Sequence, residues 1–85
     1  MTEKPENLRL RLINLLNRVG GTEVLESDAK DDMDLIFFGI DDLDKTDSLP
    51  WELQQEFNIY FGDLSKIETL GELVSHVQSE IEAGK

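Results

Sequence analysis

The sequence predicts a small all-α domain on the strength of two observations. Residues 6–19 and 70–82 carry apolar side chains at the spacing of one helical face. Both segments are bounded by residues that start and stop helices. A chain of 85 residues builds one thin hydrophobic core, so we expect a single domain over residues 1–85.

The first helix is predicted over residues 6–19. Pro5 suits the first helical position, because its fixed φ matches the helix and its missing N–H is not needed there. Arg18 favours the negative end of the helix dipole, and the Gly20-Gly21 pair ends the helix. The apolar face is formed by Leu8, Leu12, Ile13, Leu15, Leu16 and Val19.

Residues 22–48 are predicted to form a long, acidic loop. Nine acidic residues and two lysines lie between positions 26 and 47. The apolar segment Leu35–Phe38 inside this stretch has two interpretations, since periodicity alone does not assign so short a run. It fits a loop that is pinned to the core through Leu35, Phe37 or Phe38, and Ile40, and it also fits a short β-strand.

The second helix has two candidate starts. One is a helix over about residues 42–57 with a kink at Pro50, and the other is a shorter helix that begins near Ser48. Proline costs about 3 kcal/mol inside a helix but is tolerated in the first turn. That cost favours the later start, and a break into two helical pieces stays open.

The remaining chain predicts a short third helix and a long fourth one. Residues 63–67 have room for one helical turn. Thr69 followed three residues later by Glu72 is the capping-box pattern, and an apolar stripe follows it to about residue 82. The predicted core comprises Leu8, Leu12, Leu15, Leu16, Phe37 or Phe38, Leu53, Phe57, Leu70, Val74 and Val77.

Composition argues against several functions. The chain has no cysteine and one histidine, His76, so disulfides, thiolate catalysis and sites with two imidazoles are excluded. A net charge of −11 repels nucleic acid, and the apolar runs are too short to span a membrane. No acidic segment has the Gly and Glu spacing of an EF-hand. We expect a monomeric, cytoplasmic protein without catalytic activity or a metal site, whose polar N-terminus is not a signal peptide.

The tripeptide Asp47-Ser48-Leu49 lies after the acidic loop and directly before a predicted helix. A serine at that point has two interpretations. It caps the helix N-terminus, or it presents its hydroxyl beside the positive end of the helix dipole, which suits an attached phosphodiester.

The whole layout resembles that of the acyl carrier proteins. The likeness covers nearly the whole chain and is best at residues 67–74, which look like the entry to a carrier's last helix. Residues 56–59 look like the end of its second helix, and residues 38–44 look like the approach to its modified serine. The resemblance implies a small four-helix bundle with a long loop after helix one, and a 4'-phosphopantetheine arm on the serine of an Asp-Ser-Leu motif.

Two alignments with the carrier pattern are open. Aligning residues 39–44 with Gly-x-Asp-Ser-Leu-Asp puts Asp42 in the place of the serine, and a carboxylate does not accept the arm. This alignment needs one inserted residue before Phe57. The other alignment keeps the literal Asp-Ser-Leu motif, with the arm on Ser48, and shortens the second helix by more than a turn.

The resemblance implies a protein that presents an acyl or related group to partner enzymes on an arm at Ser48. Basic surfaces of those enzymes would dock on an acidic face, where charge mainly sets encounter rate and orientation. Two alternatives remain, namely a carrier-like fold without the arm that acts as an interaction module, and an acidic inhibitor or immunity-type protein. The candidate docking residues are Asp41, Asp42, Asp44, Asp47, Glu52 and Glu56.

Overall fold

The computed structural model describes residues 5–84, so the N-terminal residues 1–4, on which the signal-peptide prediction rests, lie outside it. The described residues form four α-helices and a 3₁₀ helix at Leu35–Phe38, with no strand beyond an isolated bridge between Asp34 and Thr69. The all-α prediction is confirmed for this part of the chain. The helices are α1 (Pro5–Gly20), α2 (Asp42–Thr46), α3 (Ser48–Phe57) and α4 (Leu70–Ala83).

Helix α1 is the element on which the others assemble, because it packs against α3, α4 and the 3₁₀ helix. Its predicted apolar face is buried, with Val19 half-buried at its end. Gly21 follows with a φ of 71°, the left-handed conformation that ends helices. The buried side chains of α1 are Leu8, Leu12, Ile13, Leu15 and Leu16.

The segment Leu35–Phe38 is a 3₁₀ helix and not a strand. Asp34 starts it by accepting a hydrogen bond from the Ile36 N–H at 2.9 Å. Three residues per turn place Leu35 and Phe38 on one face, and both are buried. Phe37 lies on the exposed side, so Phe38 is the core residue of the two predicted alternatives.

The C-terminus of α1 crosses the end of the 3₁₀ helix with the two backbones in direct contact. A Cβ on Gly20 would overlap the carbonyl oxygen of Phe38, and one on Gly39 would meet the carbonyl oxygen of Gly20. Gly39 also has a φ of 77°, a conformation that glycine adopts without strain. This crossing therefore requires glycine on both sides.

The second helical region is broken into two pieces, α2 and α3, at Asp47. Asp47 has φ −131° and ψ −81°, outside the helical region. Pro50 explains the break, because its ring lacks an N–H and would clash with the carbonyl of Thr46 if the helix were continuous. Pro50 is the third residue of α3, so the later start at Ser48 is confirmed, and a separate short helix precedes it.

The connection from α3 to α4 returns the chain across the bundle. Asn58 ends α3 in the left-handed conformation, with a φ of 59°. No helix forms in residues 63–67, where the sequence predicts one turn; a single turn is closed by the hydrogen bond from the Ile67 N–H to the Leu64 carbonyl at 3.0 Å. Phe61 and Leu64 are buried and anchor this connection.

Helix α4 begins with the predicted capping box. The Thr69 hydroxyl oxygen accepts from the Glu72 N–H at 3.2 Å, and the Glu72 carboxylate accepts from the Thr69 N–H at 3.0 Å. Leu73 and Val77 are fully buried on its inner face, whereas Val74 is half-buried. The capping box thus fixes where the apolar stripe begins. Core residues that the sequence does not single out include Phe61 and Leu64.

Gly20→Ala is expected to destabilise the protein, although alanine is the better helix former by about 1 kcal/mol. The added Cβ overlaps the Phe38 carbonyl, and overpacking costs about 1–3 kcal/mol or more. Gly21→Ala is the matched control, because no atom lies within 4 Å of its Cβ position and only the left-handed backbone costs about 1–2 kcal/mol. Urea unfolding measures both, and a Gly20→Ala variant as stable as the wild type would contradict the crossing.

The Glu72 carboxylate makes the stability of the fold depend on pH. Hydrogen bonds from the Glu68 and Thr69 N–H groups hold the pKa of Glu72 below its ordinary value. A lowered folded pKa stabilises the fold above the unfolded pKa, and this stabilisation is lost as pH falls through the folded pKa. Glu72→Gln keeps the capping interaction but replaces the ionisable carboxylate by an amide that does not titrate.

We therefore expect the stability advantage of wild type over Glu72→Gln to shrink on acidification in urea unfolding experiments. Glu26→Gln is the control, since Glu26 lies exposed in the loop. If the free energies of unfolding of the wild type and of Glu72→Gln changed with pH in parallel, the lowered pKa of Glu72 would be contradicted.

Candidate docking face

The acids at the start of α2 divide into a capping pair and a free carboxylate. Asp41 caps the helix by accepting from the Asp44 N–H at 2.9 Å, and the Asp44 carboxylate accepts from the Asp41 N–H at 3.2 Å. Asp42 is the first residue of α2 and is exposed. Leu43 beside it is 77% exposed. The helix therefore presents a carboxylate and an apolar side chain together.

Asp47 and Ser48 lie at the junction of α2 and α3. The Asp47 carboxylate is exposed and makes no capping hydrogen bond to α3. Ser48 is the first residue of α3 rather than its cap, and its side chain is half-buried. Asp42 and Ser48, the two alternatives for the modified position, thus each occupy the first position of a helix.

Glu52 and Glu56 lie on the side of α3 that faces α1. Glu52 pairs with Arg18 at 2.9 Å, and Glu56 pairs with Arg11 at 2.9 Å. The Arg11 guanidinium also stacks over the Phe57 ring, 4.5 Å from its centroid. These two glutamates join α3 to α1, so the structure separates them from the half-buried Asp44 and from the exposed Asp41, Asp42 and Asp47.

Two open clefts flank the indole of Trp51, which is 58% exposed. The first, here called the Ser48 cleft, has a volume of about 370 Å³. The second, here called the Tyr60 cleft, has a volume of about 410 Å³. The Ser48 cleft is lined by Arg18, Val19, Asp47, Ser48, Trp51 and Glu52; the Tyr60 cleft is lined by Thr46, Asp47, Pro50, Trp51, Gln54, Tyr60, Gly62 and Asp63.

The two clefts differ in charge. In the Ser48 cleft Arg18 supplies a cation that pairs with Glu52. The residues that line the Tyr60 cleft include Asp47 and Asp63 but no lysine or arginine. The cleft therefore concentrates negative charge beside two aromatic rings.

Asp63 stays ionised in this setting. Its carboxylate accepts a hydrogen bond from the Ser65 N–H at 2.8 Å. That bond, with smaller contributions from the Ser65 side chain and the Lys66 ammonium, holds the pKa of Asp63 below its ordinary value. Asp63 therefore contributes a negative charge to this cleft.

Trp51, Tyr60 and Asp63 are site residues that the sequence does not single out. The spacing of Asp47 and Trp51, four residues apart on one helical face, is the one signal available. Tyr60 and Asp63 reach the cleft only because the chain reverses after Asn58. The Tyr60 ring lies 3.6 Å from the Cβ position of Gly62, an ordinary van der Waals contact.

His76 lies at the edge of the core, away from these clefts. Its ring packs at a tilt against Phe61, with 5.9 Å between centroids. Its Nε2 atom is buried without a hydrogen-bond partner among the described residues.

In residues 5–84, no three acidic or histidine side chains are grouped so that they could hold a metal ion. Over the same residues, no helix combines the length and apolar character needed to cross a membrane. Comparisons with protein-family models, with curated protein sequences and with solved structures find no match.

Proposed function

We propose that this protein is an acidic docking module, which binds a basic surface of a partner protein through α2, the first turns of α3 and residues 58–63. The observation that carries the proposal is the mixture of large exposed apolar side chains and free carboxylates on these elements. Leu43, Trp51 and Tyr60 are 77%, 58% and 76% exposed. Asp42, Asp47 and Asp63 lie beside them in the chain or in the Tyr60 cleft.

This combination is typical of a docking surface. Aromatic side chains are enriched at protein interfaces because they bury a large area with few rotatable bonds. Carboxylates around them attract a basic partner and orient it before contact. With a net charge of −11, the chain repels copies of itself and other acidic proteins.

The layout of the elements supports a carrier-like docking module without an arm. A long first helix, an extended acidic connection, and a helix that starts immediately after Asp41 follow the order of the acyl-carrier pattern. In that register Asp42 stands at the first helical position, where the pattern has its serine. A carboxylate there contributes to charge recognition and not to attachment of a cofactor.

A second candidate function, an acyl carrier with a phosphopantetheine arm on Ser48, is favoured by a specific observation. Ser48 lines an open cleft together with Arg18 and Trp51. The Arg18 guanidinium would face the negative charge of a phosphodiester on the serine hydroxyl, and the indole would flank the arm. When bound, the arm would supply a thiol that holds an acyl group as a thioester.

The docking proposal predicts binding of a synthetic amphipathic helix with leucines on one face and lysines on the other. Its affinity should fall as salt rises, because exposed charges are screened. The double variant Asp42→Asn with Asp47→Asn should weaken binding by about 0.5–2 kcal/mol, mainly through slower association. Surface plasmon resonance at several salt concentrations measures both rates.

Asp28→Asn with Asp32→Asn is the matched control, since it removes the same charge from exposed positions in the loop after α1. This control should reduce affinity much less than the α2–α3 variant. Equal losses for the two double variants would show that net charge alone drives binding, and would overturn the proposed face.

The carrier candidate predicts covalent modification. Incubation with coenzyme A and a broad-specificity phosphopantetheinyl transferase should add the mass of one phosphopantetheine group, and Ser48→Ala should abolish the gain. Intact-mass spectrometry makes the measurement, with a known carrier protein as positive control. An unchanged mass beside a modified control removes the carrier candidate and leaves the docking module without an arm.

A further inference from the structure

We infer that the Tyr60 cleft receives an arginine side chain from the partner, an inference that rests on the proposed docking function. The residues that line the cleft include two aromatic ones, Trp51 and Tyr60, and two acidic ones, Asp47 and Asp63. No basic side chain lines it. A cation is the group that both kinds of lining residue attract.

The carboxylates are not already neutralised by ion pairs. Among the described residues, no lysine or arginine forms an ion pair with Asp47 or Asp63, whereas Glu52 and Glu56 are paired with arginines of α1. Lys66 acts on Asp63 through space but does not line the cleft. The charge of this cleft therefore remains for a partner to satisfy.

Arginine fits the lining better than lysine. Its planar guanidinium stacks on an aromatic face and presents paired N–H donors to a carboxylate, whereas the ammonium of lysine is a compact and strongly hydrated charge. The protein uses the same combination internally. Arg11 stacks over the ring of Phe57 while it donates to the carboxylate of Glu56 at 2.9 Å.

The neighbouring Ser48 cleft supports the assignment by contrast. It shares Asp47 and Trp51 with the Tyr60 cleft, yet it already contains the Arg18 guanidinium. An incoming arginine would meet a like charge there. The indole of Trp51 thus separates a cleft that carries its own cation from one that lacks a cation.

The test is a titration with N-acetyl-arginine amide, which carries a single positive charge. Trp51 is the one tryptophan of the chain, so its fluorescence reports on the two clefts that it lines. NMR shifts of Gly62 and Asp63, which line the Tyr60 cleft and not the Ser48 cleft, assign the binding to the Tyr60 cleft. Saturable changes in both signals are expected. N-acetyl-citrulline amide, a neutral molecule of nearly the same shape, should cause changes at least several-fold weaker, and N-acetyl-lysine amide should bind more weakly than the arginine derivative.

Asp47→Asn with Asp63→Asn should weaken binding of the arginine derivative about ten-fold or more, whereas the control pair Asp28→Asn with Asp32→Asn should leave it nearly unchanged. An asparagine at position 63 still accepts the Ser65 N–H, so the turn is retained. Equal effects of the arginine and citrulline derivatives, or of the two variant pairs, would overturn the inference.

Failure of the arginine inference is distinguishable from failure of the docking proposal. If the leucine–lysine helix binds through the α2–α3 face while the arginine derivative does not bind the cleft, the arginine assignment fails alone. If the arginine derivative binds as expected but the helix shows no dependence on Asp42 and Asp47, the wider docking proposal fails and the cation site stands.

Discussion

The contact between the backbones of Gly20 and Gly39 is the constraint on which the arrangement of the other elements depends. It brings the end of α1 against the end of the 3₁₀ helix with no side chain between them. Phe38 and Ile40, on either side of Gly39, then enter the core. Because Asp41 follows directly and caps α2, the crossing also fixes where the second helical region begins.

The arginines of α1 pair with some of the acidic residues and leave the others unpaired by this helix. Arg9 pairs with Asp31 in the loop after α1, whereas Arg11 and Arg18 pair with Glu56 and Glu52 of α3. Exposed ion pairs contribute little to stability, but these connect segments far apart in the sequence. The acids that α1 does not pair lie mainly on the outside, which gives the α2–α3 face its unbalanced negative charge.

Local rules predict the two long helices well and the site poorly. The stripe of α1 and the Thr69–Glu72 capping box are patterns within a single helix, and Pro50 marks the start of α3 because its effect is confined to one turn. The 3₁₀ helix and α2 are too short to carry a periodic signal. Their form depends on tertiary contacts, such as the crossing at Gly39. The Tyr60 cleft requires the chain to fold back after Asn58, and no spacing in the sequence predicts which residues then meet.

The break at Asp47 has a consequence for motion. Helix α2 has five residues, and helices this short are not stable by themselves. Its one buried residue is Lys45, 6% exposed. With no buried apolar side chain of its own, α2 has the features of a segment that opens locally at lower free energy than the core. A partner that contacts Leu43 would therefore supply apolar packing that α2 lacks within the protein. It would slow the hydrogen exchange of the backbone amides of α2.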